Sequence, residues 1–306
     1  MGYQKFFMFP GQGSQRIGML SGYAEHPIVK DVFSEASDIL GFDVWRLSQE
    51  GPETQLNQTE YTQPAILTAS IALWRVGQST GLTGDILAGH SLGEFTALVA
   101  AEAMSFEDAV QLVRFRGQLM QAAVPEGKGA MCAILGLDDD KVIECCKEVA
   151  GKEIVEAVNF NSPGQVVIAG HTNAVERAAS LCQTAGAKRV IPLPVSVPSH
   201  CALMKPAAER LKRALEDIDI RTPKLPVIRN VDATLYASPG DIRDGLYRQL
   251  FSAVRWTQTL QFVVESGVEA AYECGPGKVL CGLMKRVARR LPTIDLESEL
   301  LKSLSE

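Results

Sequence analysis

The residues predict an α/β protein, with a core built on a mainly parallel sheet and a smaller βαββαβ unit set into it. Three observations carry this reading. Short apolar runs alternate with helical patterns from end to end, as they do where helices cross over a parallel sheet. The turn Gly89-His90-Ser91-Leu92-Gly93 joins one apolar run directly to a helix. The texture changes at Pro125-Glu126-Gly127-Lys128-Gly129 and returns after Pro198. A chain of 306 residues is long enough for one large domain with a smaller one inserted. The expected division is a core of 1–126 and 198–306 and a small subdomain of 127–197.

In chain order, Lys5–Phe9 is an apolar run closed by Pro10-Gly11-Gln12-Gly13, which marks a strand and its turn. Helical patterns follow over Pro27–Leu40 and residues 64–80, each with proline near its start, where the missing N–H costs nothing. Residues 85–88 read as a buried strand passing straight into an Ala-rich helix over 92–103. Ser105 is expected to cap the next helix, with Glu107 and Asp108 in its first turn. The small unit reads as strand 130–135, helix 138–150, strands 154–158 and 166–169 around Asn161-Ser162-Pro163-Gly164, helix 172–185 and strand 189–195. That order is the split arrangement of a ferredoxin-like unit. The core then resumes with helix 202–218, strand 227–230, helices 241–250 and 257–266, strand 269–273, and a last helix ending near Arg290.

Composition narrows the class without naming a function. The chain is 46% hydrophobic and 22% charged, as in ordinary globular proteins. No apolar stretch approaches the roughly 20 residues of a membrane span, and the N-terminal residues are not expected to act as a signal peptide. Seven cysteines without a CxxC pair fit a reducing, cytoplasmic setting. The net charge of −6 weighs against nucleic acid.

The chemistry centres on Ser91. The glycines of Gly89-His90-Ser91-Leu92-Gly93 permit a turn that pushes the serine hydroxyl out at the carboxyl edge of the sheet, beside N–H groups at a helix start. The alternative is a Gly-rich β–α turn with an incidental serine. A serine nucleophile needs a base, and four histidines are available. His26 reads as an exposed loop residue and His171 as structural, while His90 should diverge from Ser91 and line the pocket. His200 lies where the small unit rejoins the core; elimination leaves it as base, with a structural histidine as the equal alternative. Arg114 and Arg116 lie on a largely apolar helix and need either a bound anion or an internal partner. Gly275-Pro276-Gly277-Lys278 fails as a phosphate loop because Val279 stands where Ser or Thr is required. No His, Cys or carboxylate set has metal-ligand spacing.

Several segments in order are more specific than any one of them. Phe9-Pro10-Gly11-Gln12-Gly13-Ser14-Gln15, Gly89-His90-Ser91-Leu92-Gly93-Glu94, Asn161-Ser162-Pro163-Gly164-Gln165 and Pro198-Ser199-His200 together resemble the malonyl-CoA:acyl carrier protein transacylases of bacterial fatty acid synthesis. The resemblance runs on through Gln249-Leu250 and Val254-Arg255-Trp256 to Cys274-Gly275-Pro276-Gly277-Lys278. It implies a hydrolase-like α/β core with a ferredoxin-like insert. It assigns Ser91 as nucleophile, His200 as general base and acid, and the backbone N–H groups of Gln12 and Leu92 as oxyanion donors. Arg116 would hold the malonyl carboxylate, the backbone carbonyl of Gln249 would orient His200, and His90 and Asn161 would shape the pocket.

The implied partners are malonyl-CoA and acyl carrier protein, with no nucleic acid, no membrane and a monomeric chain. No cofactor is implied, since coenzyme A and phosphopantetheine enter as parts of substrates. Acyl carrier proteins are acidic, so docking needs a local basic patch; Lys285 and Arg286, with Arg289 and Arg290, are the candidates, against the alternative of a solvated helix end. Rival readings are a serine thioesterase, an acyltransferase for another acyl group, and a non-catalytic interaction protein.

Overall fold

The computed structural model describes residues 2–195 and 197–303. Nine strands form two sheets among these residues: β1 (Lys5–Phe9), β2 (Ile86–Gly89), β3 (Gly129–Leu135), β4 (Val155–Ser162), β5 (Gln165–His171), β6 (Arg189–Pro192), β7 (Val227–Ile228), β8 (Ala270–Glu273) and β9 (Thr293–Asp295). The larger sheet has the order β7-β2-β1-β8-β9, with every neighbouring pair parallel. Residues 6–9 of β1 and Ile86–Gly89 of β2 are apolar, as expected where both faces are covered. Phe7, Phe9, Leu87 and Val227 pack into one cluster, and Phe6, Met8, Ile86, Ala88 and Ile228 into another. The alternation along β1 is therefore between two buried faces. Helix Thr59–Ser79 covers the first through Trp74, which meets Phe7 and Phe9 edge-on. Helices Trp256–Glu265 and Val279–Val287 cover the second.

The smaller sheet is antiparallel, in the order β4-β5-β3-β6, and its elements follow the expected βαββαβ succession. Helices Asp139–Ala150 and Thr172–Thr184 cover one face of it, burying Val142, Cys145, Val175 and Cys182. β4 also reaches the core outside its own sheet: an isolated bridge joins Asn159 to Val254, and the Val254 N–H donates to the Val158 carbonyl. This places the strand bearing Asn159 and Asn161 over the carboxyl edge of the parallel sheet.

Several boundaries differ from the sequence reading for physical reasons. The helix expected to start at Pro64 begins at Thr59. Its first turn is satisfied from outside, by Gln121 Oε1 accepting from the Glu60 N–H at 2.8 Å, so no local capping residue marks it. The last strand-forming stretch of the small unit ends at Pro192 rather than 195. After Val287 the chain adds β9 and the helix Leu296–Ser303, neither of which was expected. β9 has three half-buried residues and no alternation long enough to read. Helix Val44–Glu50, capped by Asp43 accepting from the Arg46 N–H, was also missed. Ser105 does cap helix Phe106–Ala123.

Candidate active site

The turn after β2 is forced by close approach. A Cβ at Gly89 would lie 1.8 Å from the Gly93 carbonyl, and one at Gly93 would lie 2.0 Å from the Phe9 carbonyl oxygen. Only glycine fits either position. Between them Ser91 is held at φ 53°, a left-handed conformation that costs a non-glycine residue about 1–2 kcal/mol. Asn230 holds the turn: its Oδ1 accepts from the Ser91 N–H at 2.7 Å and its Nδ2 donates to the Gly89 carbonyl at 2.7 Å. Gln249 Nε2 donates to the Ser91 carbonyl at 2.8 Å, so hydrogen bonds hold the main chain on both sides of the serine.

His200 is brought to the same point from the other junction of the small unit. It too has a left-handed backbone, φ 65°, and its N–H donates to the Leu250 carbonyl. Its Nδ1 lies 2.7 Å from the Gln249 carbonyl oxygen, and its Nε2 lies 2.7 Å from Ser91 Oγ. A carbonyl can only accept, so Nδ1 carries the proton and Nε2 is the free base facing the hydroxyl. Burial, and next the Arg116 charge, push the imidazole down to about 3, against the opposing bond to Gln249. His200 is therefore neutral at ordinary pH, which is the form that takes a proton. Between its folded value near 3 and an unfolded value near 6.5 the folded chain binds fewer protons, so this group's contribution to stability falls as pH drops through that window. In an NMR titration its ring signals should stay those of neutral imidazole down to about pH 5; a midpoint near 6.5 would mean an imidazole open to water.

Arg116 is 1% exposed and is the second group on the same hydroxyl. Nη2 donates to Ser91 Oγ at 3.3 Å and to Gln249 Oε1 at 2.9 Å, and Nη1 donates to Gln63 Oε1 at 2.9 Å. The guanidinium also lies over the Phe95 ring. Burial lowers its pKa to about 10 while Glu94 raises it, so it keeps its charge at neutral pH. No carboxylate contacts it directly among the described residues. A buried cation surrounded by neutral acceptors is suited to an arriving anion. Arg114, two residues away, has a local use instead: Nη1 donates to the Leu40 carbonyl at the end of helix Pro27–Leu40.

These groups open on a cleft of about 700 Å³ between the two sheets. Its wall includes Gln12, Leu92, His90, Asn161 and Leu283. His90 does turn away from Ser91, and its Nε2 lies 2.8 Å from Asn161 Oδ1. Burial pushes its pKa down, so the neutral ring donates to Asn161. His171 accepts from the Ile154 N–H, in keeping with a structural role, and His26 is half-buried rather than exposed. Cys201 adjoins His200, but burial pushes its thiol up to about 12 and it donates to the Pro198 carbonyl. It offers no competing thiolate.

The model of the acyl transferase domain family matches residues 6–295. A malonyl CoA-acyl carrier protein transacylase of Salmonella typhimurium is 56% identical over 287 residues, 93% of each chain. The chain belongs to the malonyl CoA-acyl carrier protein transacylase family. Among solved structures, an acyl carrier protein S-malonyltransferase of Vibrio cholerae superposes with a TM-score of 0.93 at 54% identity, covering 95% of this chain and 96% of that one. A malonyl-transacylase in complex with its holo type II PKS acyl-carrier protein gives 0.96 at 52% identity, covering 98% of both.

In this transacylase-family chain, Lys285 and Arg286 lie in the last turn of helix Val279–Val287. Both are exposed and neither forms an ion pair among the described residues. The opposite end of the helix supplies Val279, Leu280 and Leu283 to the cleft, and Val279 is 56% exposed. Sequence reasoning missed Gln63, Asn230, Tyr236 and the side chain of Gln249. Each is a neutral polar residue whose role comes only from what the fold sets beside it. Among the described residues no three His, Cys, Asp or Glu side chains gather as a metal site, and no helix is long and apolar enough to cross a membrane.

Proposed function

We propose that this chain transfers the malonyl group from malonyl-CoA to the phosphopantetheine thiol of acyl carrier protein through a malonyl ester on Ser91, supplying fatty acid elongation. One observation carries the assignment: Ser91 Oγ lies within hydrogen-bond reach of both a neutral imidazole and a buried guanidinium. The first activates the hydroxyl as a nucleophile, and the second suits an acyl group with a free carboxylate. Family membership and the relatives' names support the same reaction.

Ser91 Oγ attacks the thioester carbonyl as its proton passes to His200 Nε2. The oxyanion is held by the backbone N–H groups of Gln12 and Leu92, the latter at the start of helix Gly93–Ala100. The tetrahedral intermediate expels coenzyme A thiolate, which takes the proton from His200, and malonyl-Ser91 remains. The carrier thiol then gives its proton to His200 and attacks the ester, and Ser91 leaves with that proton. The Nη2 donor now spent on Ser91 Oγ passes to the malonyl carboxylate. The Gln249 carbonyl keeps the imidazole in its reactive tautomer throughout, and His90 and Asn161 form the facing wall.

The core is hydrolase-like and comprises 1–126 and 198–306, with 127–197 as a ferredoxin-like subdomain; Met1, Ser196 and residues 304–306 of these segments lie outside the described residues. The reaction needs no cofactor, because nucleophile, base and anion site are all side chains. The chain acts in the cytoplasm, in keeping with its seven free, buried cysteines, and as a monomer. Reversing charge at Lys285 and Arg286 is expected to raise the KM for carrier protein about tenfold and leave that for malonyl-CoA unchanged. Unchanged carrier kinetics would remove these residues from docking. To separate transfer from hydrolysis, product partition is measured with holo carrier protein present. Malonyl carrier in large excess over free malonate is expected, and predominant malonate would make the chain a thioesterase.

A further inference from the structure

Glu94 is fully buried and takes no part in the steps above. It follows the Ser91 turn by three residues and sits at the centre of a closed network. Oε1 accepts from the Asn230 N–H at 3.0 Å and from the Tyr236 hydroxyl at 2.7 Å, and Oε2 accepts from Gln249 Nε2 at 2.5 Å. All three neighbours donate, so the surroundings are built for a carboxylate. Burial nevertheless raises the group to about 7, against the pull of those donors and of Arg116. A buried charge this costly needs a reason in what it holds.

Two arms lead out from it. Asn230, fixed through its N–H, holds the Ser91 N–H and the Gly89 carbonyl. Gln249, fixed through its amide nitrogen, presents its amide oxygen to Arg116 Nη2. The second arm is directional. Glu94 and the Ser91 carbonyl can only accept, and both face Gln249 Nε2, so Oε1 is left to face the guanidinium.

We propose that Glu94 is a positioning residue that sets the amide polarity of Gln249 and thereby holds Arg116 at Ser91, fixing the preference for acyl groups that carry a free carboxylate. This rests on the reading of Arg116 as the malonyl site. Glu94→Gln disturbs the second arm. The Asn230 N–H is main chain and cannot turn, so the new amide keeps its oxygen on Asn230 and Tyr236 and sets its NH2 against the NH2 of Gln249. Gln249 cannot flip without loss, because its oxygen would then meet the Ser91 carbonyl and a donor would meet Arg116. In either setting Arg116 loses its firm acceptor.

The test is steady-state kinetics with malonyl-CoA and acetyl-CoA on the wild-type chain, Arg116→Ala, Glu94→Gln and Gln249→Met. Glu94→Gln is expected to raise the KM for malonyl-CoA about tenfold or more, to change kcat less, and to leave acetyl-CoA kinetics within about threefold. Gln249→Met removes the amide that links Glu94 to Arg116 and keeps the main-chain carbonyl that faces His200, so it should lose malonyl preference in the same way; it also serves if Glu94→Gln does not fold. An equal fall with both donors in Glu94→Gln, or a Gln249→Met chain with wild-type malonyl preference, would overturn the proposal. Failure of the underlying reading looks different: there Arg116→Ala itself leaves the preference for malonyl unchanged.

Discussion

Replacing Ser91 by alanine is expected to abolish acyl loading and to lower carrier malonylation by about 10⁴-fold or more, because Ser91 carries the hydroxyl that meets His200 Nε2, a contact that Ser14, Thr59 and Ser199 on the cleft wall do not make. The His200 imidazole would remain neutral and in place, since Gln249 and not Ser91 holds its protonated nitrogen. Cys201, the nearest reactive side-chain type in sequence, is kept as a thiol by burial. The fold should survive, because the turn is held through the Ser91 main chain by Asn230 and Gln249. A sharper version uses the backbone strain. Ser91→Gly removes both the hydroxyl and the penalty of a left-handed non-glycine residue, so it should be inactive yet more stable than wild type by about 1 kcal/mol. Thermal unfolding beside a loading assay checks both halves. An active Ser91→Ala chain would remove the covalent route.

Replacing Arg116 by alanine is expected to lower kcat/KM for malonyl-CoA by roughly 10³-fold, the loss of two charge-assisted hydrogen bonds to a desolvated carboxylate. Acetyl-CoA has no such group, so its use should fall far less or rise, and the ratio of the two donors is the informative number. Wild type discriminates because acetyl leaves a buried guanidinium without the anion it is placed to meet. The substitution also carries a structural cost. Glu94 loses its nearest positive charge, although Gln249 stands between the two side chains. A lowered melting temperature together with an unchanged donor ratio would mean that Arg116 only balances Glu94 and selects nothing.

The legible parts of this protein were those with local causes. Ser91 was marked by two glycines that steric contact demands, and β1 and β2 by apolar runs buried on both faces. The βαββαβ unit was readable because its strands are long, its helices amphipathic and its turns rich in glycine. His200 and Arg116 were visible as residue types, but their approach to Ser91 depends on a segment 109 residues away for His200 and on the second helix after the turn for Arg116, and came from family resemblance. The start of helix Thr59–Ser79 was hidden because Gln121 satisfies it from another helix. Glu94 and Gln249 stood in segments of the family resemblance, but nothing marked the network that joins their side chains to Asn230 and Tyr236. These residues come from three separate stretches, and no spacing rule relates them.

The most direct measurement is intact-protein and peptide mass spectrometry after brief exposure to malonyl-CoA, with acetyl-CoA in parallel. A malonyl adduct on Ser91, discharged by holo acyl carrier protein and scarce with acetyl-CoA, is the expected result. No adduct, an adduct on another residue, or one lost to water as fast as to carrier thiol would contradict transfer through malonyl-Ser91.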